Sequence, residues 1–352
     1  MIPEKLKKID ESLIELLRDR MSILADSGLP SLEEQLSCVA PILAQLGVPE
    51  SVWANVVMSC FAALTAEFSS SLNNIRPRRI TVIGGRGRMG KFFTQQLSAA
   101  GHNVSVLENE DWDYADSLLG KAELVLVCVP IERTVEVIRR AAKYLAPNTA
   151  LADITSTKAL PVQAMLEYHS GPVMGLHPMF GPQIKSFSGQ KFVVCPGRND
   201  ESFEWFLDFI ESKGGELIVS TPEEHDQIMV IVQAVRIFSR FSFGVFLAEE
   251  GVEIERSLSM SSPNYRLEMD IVKRLFAQNP RLAVDIILAT EDRCQAIESL
   301  ASTYSRLAQL VAEKDRAALI EEFEATQRFF AQAEETVRPL KESDYVVNAL
   351  SS

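Results

Sequence analysis

The stretch Arg79-Ile80-Thr81-Val82-Ile83-Gly84-Gly85-Arg86-Gly87-Arg88-Met89-Gly90 decides the fold. An apolar run enters a glycine turn, and Lys91-Phe92-Phe93-Thr94-Gln95-Gln96-Leu97 then reads as a helix. Gly85, Gly87 and Gly90 have the G-x-G-x-x-G spacing. The first glycine allows a tight turn, the second lets backbone approach a pyrophosphate, and the third lets helix pack on strand. The free N–H groups at the start of that helix would face the phosphates. A second apolar run, Val104-Ser105-Val106-Leu107, ends in Glu108. An acidic residue there suits the ribose 2′-hydroxyl of NAD and disfavours the extra phosphate of NADP. Arg86 and Met89 inside the turn join the glycines as candidate cofactor contacts. The alternative is a tight βα connection that holds no nucleotide.

Working outward, residues 78–220 alternate between strand and helix, which predicts a parallel sheet of the doubly wound, Rossmann-like type. Leu124-Val125-Leu126-Val127-Cys128-Val129-Pro130 is unbroken and apolar, as expected of a strand buried on both faces. Val129 and Pro130 end it at the carboxyl edge, where ligands bind in such sheets. Further strands are expected at 149–153, 191–195 and 216–219. Beyond Pro222 the pattern becomes helical, at about 223–250, 264–278, 281–290, 292–313 and 316–337. At the other end, Leu6, Ile9, Leu13, Leu16 and Leu17 share one helical face. Gly28-Leu29-Pro30 stops that helix, Ser31 with Glu34 offers a capping box for the next, and a third is expected from Val52 to Phe68. The division is therefore 1–72 (a helical arm), 77–221 (the nucleotide-binding domain) and 222–345 (an all-helical domain).

The 352 residues are 47% hydrophobic and 24% charged, ordinary for a globular chain. A net charge of -13 argues against nucleic acid or an anionic membrane as partner, although a local arginine cluster can still hold a small anion. The five cysteines form no C-x-x-C pair. Neither a metal site nor a disulfide framework is expected, and a reducing cytoplasm fits. No signal peptide and no unbroken apolar run of membrane-spanning length stand out.

Chemistry concentrates in Gly175-Leu176-His177-Pro178-Met179-Phe180-Gly181-Pro182. His177 follows a strand-like Val173-Met174 and should lie at the carboxyl edge of the sheet. A histidine beside a nicotinamide can take a hydroxyl proton while hydride leaves the same carbon. Ser156 is a candidate to orient the imidazole. A buried structural histidine is the plainer reading.

These residues, with Glu224-His225-Asp226-Gln227 and Ser262-Pro263-Asn264-Tyr265-Arg266-Leu267-Glu268, resemble the prephenate dehydrogenases. The similarity is greatest to the bifunctional type fused to chorismate mutase. The resemblance implies oxidative decarboxylation of prephenate to 4-hydroxyphenylpyruvate with NAD, in a homodimer formed through the C-terminal helices. It implies that His177 is the catalytic base or hydrogen-bond acceptor for the C4 hydroxyl and that Ser156 and Lys158 form the family's Ser-x-Lys pair after the strand. Arg274 would hold the ring carboxylate, Arg266 would support the site or the interface, and Arg236 joins them as a substrate-binding candidate. Without the resemblance these arginines read as solvated helix charges. Arogenate and 4-amino-4-deoxyprephenate remain alternative substrates, and a non-catalytic, NAD-sensing derivative remains an alternative class.

Three positions depart from the family pattern. Ile237 stands where a histidine is usual, Gln183 replaces an acidic residue, and Ala283 stands where close relatives have tyrosine. Weak feedback by tyrosine is the expectation. The amino-terminal arm resembles the mutase helix, with Arg20 matching a substrate-binding arginine. Pro3 falls where another arginine belongs, and Leu29-Pro30-Ser31-Leu32-Glu33-Glu34 replaces the segment with the catalytic lysine. A mutase clamps carboxylates with cations, so negligible mutase activity is predicted.

Overall fold

The structure is a computed structural model that describes residues 3–27, 32–49, 52–57, 60 and 76–331. It divides into two compact units. One holds the chain up to Val129 together with Arg133–Pro222, the other Pro130–Glu132 and the chain from Glu223 onward.

Seven strands build the first unit's sheet: β1 (Arg79–Ile83), β2 (Asn103–Leu107), β3 (Leu124–Val127), β4 (Ala150–Asp153), β5 (Val173–Pro178), β6 (Lys191–Arg198) and β7 (Glu216–Val219). Their order is β2-β1-β3-β4-β5-β6-β7. Strands β1 to β5 are mutually parallel, as the alternating pattern predicts. The all-parallel expectation fails at β6, which runs antiparallel to β5 and carries β7 with it. Residues 179–190 contain no helix, and without a crossover element the chain can only turn back on itself.

The chain leaves β1 for β2 on one side and returns to β3 on the other. The carboxyl ends of β1 and β3 therefore form the point where strand order reverses, the usual ligand crevice of such sheets. Both faces of the sheet are covered. Phe92, Phe93 and Leu97 of α3 (Arg88–Ala99) pack with Val82, Leu124, Leu126 and the rings of Phe187, Phe192, Phe206 and Phe209. On the other face Trp112, Leu119, Ile138, Val162 and Met165 pack with Val125, Val127 and Leu151. This two-sided burial is why β3 carries no polar residue.

The amino-terminal region provides α1 (Glu4–Ser27) and α2 (Leu32–Leu46), the latter with Pro41 inside it. Leu6, Ile9, Leu13 and Leu16 of α1 are exposed. The proposed Ser31 cap, the Gly28–Pro30 stop and most of the third helix and the linker lie outside the described residues.

Among its described residues the second unit is helical. The run expected over 223–250 is Pro222–Met229, a π-helical segment Val230–Val235, and Arg236–Glu249. By length and composition this run could cross a membrane, yet it has no unbroken apolar stretch, because Arg236 and Arg240 interrupt it. Only 6% of its apolar window is buried within this chain. The short helix Ile254–Ser259 lies between the expected helical runs. Pro263–Phe276, Pro280–Ile287, Glu291–Glu313 and Arg316–Ala331 follow. The first three have side-chain caps from Ser262, Asn279 and Thr290, and prolines open two of them.

Candidate active site

The glycine turn has the shape a dinucleotide needs. Gly84 sits at φ +79°, and a Cβ there would lie 2.5 Å from the Cys128 carbonyl oxygen. A Cβ on Gly90 would stand 2.1 Å from the Gly84 oxygen, so only glycine lets α3 pack so close to β1. On Gly85 it would meet Val106 at 2.7 Å, while Gly87 is less crowded, at 3.2 Å from the Gly84 oxygen. Gly87 is the N-cap of α3, and no side chain caps that helix. Its first-turn N–H groups are thus available to a phosphate. Glu108 directly follows β2 and accepts the Arg86 backbone N–H at 2.6 Å. A carboxylate has about four lone-pair sites, so capacity remains for a ribose hydroxyl. The Arg86 guanidinium pairs at the surface with Glu110 at 2.7 Å. Met89 is half-buried in the first turn of α3. These features fit an NAD molecule.

Val129 and Pro130 lie two and three residues past the end of β3, with Val129 half-buried and Pro130 exposed. Between strand and proline lies Cys128. Burial pushes its thiol well above the usual range, helped by the charges of Asp153 and Glu108, so it is a neutral packing group.

His177 lies inside β5, one residue from its end, rather than in the loop after it. It is 4% exposed and pairs in register with Val193 of β6. Strand alternation puts it on the same face as Gly175. Ser156 lies half-buried in the loop after β4. Lys158, two residues on, is fully buried and opens the helix Ala159–Tyr168. Its ammonium reaches Asp153 Oδ2 at 2.5 Å and the Leu176 carbonyl at 2.7 Å. Lys158, the second member of the Ser-x-Lys pair, thus holds the ends of β4 and β5 from inside the protein. Its charge is satisfied inside the protein. Asp153, a residue sequence reading passed over, also takes the Thr155 N–H at 2.8 Å. Burial pushes its carboxyl up, against the opposing pull of Lys158 and Thr155. A charged residue closing an apolar strand, with a lysine five positions on, was the signal available.

In the second unit, Arg266 and Arg274 lie exposed near opposite ends of Pro263–Phe276. Arg236 is exposed, and its Nε donates to the Val232 carbonyl at 2.8 Å. Arg240, one turn further, escaped notice in the sequence. Burial, then the neighbouring Arg236 charge, pulls its pKa down. Ile237 and Ala283 are half-buried. His225 is 1% exposed and 2.8 Å from Asp226 Oδ1. Arg293, also missed, is fully buried and donates to the Ile286 carbonyl at 2.7 Å. Burial lowers its pKa, and the Asp226 charge opposes that. Nothing in its polar helical surroundings marks it as a core residue.

Two family descriptions match the chain: "Prephenate dehydrogenase, nucleotide-binding domain" over residues 95–219, and "Prephenate dehydrogenase, dimerization domain" over 221–325. A T-protein of Enterobacter agglomerans is 36% identical over 342 residues, covering 93% of this chain and 91% of its own. A T-protein of Haemophilus influenzae is 35% identical, covering 96% and 93%. Among solved structures, prephenate dehydrogenase from A. aeolicus in complex with hydroxyphenyl propionate and NAD+ superposes with a TM-score of 0.58 at 16% identity. That match covers 74% of this chain and 100% of that one.

Proposed function

The chain belongs to the prephenate dehydrogenase family, and from that membership we propose how its residues oxidatively decarboxylate prephenate to 4-hydroxyphenylpyruvate. The bound nicotinamide of NAD+ supplies the hydride acceptor at ring C4 of the substrate. His177 accepts the proton of the C4 hydroxyl as that carbon becomes a carbonyl. The ring carboxylate leaves as CO₂, and aromatisation of the ring favours the step. Ser156 orients the imidazole. Arg274 grips the ring carboxylate, with Arg266 and Arg236 adding positive charge. A planar guanidinium suits bidentate carboxylate binding, and local arginines offset a chain of net charge -13.

The placement of His177 supports this most. It is a buried imidazole at the carboxyl end of a strand in the same sheet whose β1 end carries the glycine turn. The decisive assay is NADH formation with prephenate, arogenate and 4-amino-4-deoxyprephenate, each with and without tyrosine. Turnover of prephenate well above the other two is expected. Turnover of none would favour a non-catalytic, NAD-sensing role.

The remaining parts follow the same reading. Residues 1–72 are a mutase-like arm without mutase chemistry, 77–221 bind NAD, and 222–345 hold substrate and form the homodimer. A second copy would cover the exposed Ile228, Ile231, Phe241 and Phe246. The proposed setting is the cytoplasm.

A further inference from the structure

We infer that Asp153 and Lys158 are positioning residues for the reaction, tying the loop that carries Ser156 to the strand end that carries His177. The inference rests on the dehydrogenase reading above. Both side chains are 0% exposed. Asp153 closes β4 and lies opposite Gly175 in the last register pair between β4 and β5. Beyond that pair β4 has no residue to offer β5. The Lys158 ammonium takes up the next carbonyl, that of Leu176. This carbonyl belongs to the peptide unit whose nitrogen is His177's, so the hydrogen bond fixes the plane from which the imidazole projects. The same ammonium holds Asp153 Oδ2, which also receives the Thr155 N–H, the residue before Ser156. One buried pair thus sets the backbone beside both side chains.

The glycine of Gly175-Leu176-His177 is explained as well. A Cβ on Gly175 would lie 3.0 Å from the Lys158 Cδ and 2.6 Å from a Val162 methyl. The missing side chain makes room for the lysine stem to cross β5. Stability alone gives little reason for the arrangement. Replacing a buried ion pair with apolar groups of similar volume is often neutral or stabilising. Positional accuracy is the better reason, because about 1 Å of misplacement near a reacting centre costs roughly a hundredfold in rate.

The test uses the full-length protein and the variants Asp153→Asn, Lys158→Met and the double variant. Wild type and variants are compared for kcat, for NAD affinity by fluorescence quenching, and for the acidic limb of the kcat/KM profile. Each single variant should lose about ten- to a hundredfold in kcat, with NAD affinity within about twofold and the acidic limb displaced. The double variant should recover thermal stability but stay slow, and it carries the test if Asp153→Asn fails to fold. Wild-type kcat and an unmoved limb in either folded variant would overturn the inference, however far its melting temperature falls. A wild type inactive on every cyclohexadienol would instead sink the dehydrogenase reading. NMR titration of His177 would then still decide the positioning role of the Asp153–Lys158 pair, which fails if Asp153→Asn leaves that titration unchanged.

Discussion

Gly90→Ala is the sharpest perturbation of the cofactor turn. The added Cβ would sit 2.1 Å from the Gly84 oxygen, 2.8 Å from the Gly85 Cα and 2.9 Å from the Gly84 carbonyl carbon. All three are backbone atoms, so no side-chain rotation relieves the clash. Real Cβ atoms essentially never come closer than 3.0 Å to another non-bonded heavy atom, so α3 must retreat from the turn by roughly 1 Å. Overpacking of this kind costs about 1–3 kcal/mol. At about 2–4 °C per kcal/mol for a domain of this size, the melting temperature should fall by roughly 2–12 °C. The retreat also carries the first-turn N–H groups away from the pyrophosphate. If the strain is relieved that way, NAD affinity should fall by about five- to a hundredfold. Gly87→Ala is the internal control for packing strain alone: its Cβ would meet the Gly84 oxygen at 3.2 Å, so its melting temperature should stay near wild type, although the added methyl also crowds the pyrophosphate and weakens NAD binding. Titration with NAD by fluorescence quenching, alongside thermal melts, reads both effects. Equal melting temperatures of the two variants would refute the packing argument, and wild-type NAD binding by Gly90→Ala would refute the turn as the phosphate cradle.

His177→Asn should lower kcat by about a hundred- to ten-thousand-fold while NAD binding stays near wild type, measured by steady-state kinetics and quenching. Glu108→Ala removes the carboxylate that accepts the Arg86 N–H at 2.6 Å, and discrimination of NAD over NADP should shrink by roughly tenfold in kcat/KM. His102 is buried beside Trp205 and Phe209, and burial, then the Arg78 charge, lowers its pKa. The unfolded imidazole takes a proton below about pH 6.5 and the folded one resists it, so this group's contribution to stability falls as pH drops through that value. Melts from about pH 7.5 to 5.5 should therefore slope less in His102→Phe than in wild type, and identical slopes would contradict the assignment. The purified protein should convert no measurable chorismate to prephenate, since Pro3 and the short 29–34 segment lack the cations a mutase clamp requires.

Some of this protein was determined by residues close together in the chain. The turn at 84–90, the apolar strand at 124–127 and the helix caps at Ser262, Asn279 and Thr290 are local. Their backbone preferences and their burial pattern are written in adjacent residues, and the motifs around His177 marked the family for the same reason. Other features exist only once distant segments meet. The reversal at β6 depends on what the residues after Pro178 fail to form, and hydrophobic alternation has no direction, so it cannot tell parallel from antiparallel. Burial of Lys158 against Asp153, and of Arg293 in the helical unit, reverses the rule that such charges face water. Only tertiary structure brings a counter-charge, a carbonyl and a missing glycine side chain to one buried point around Lys158.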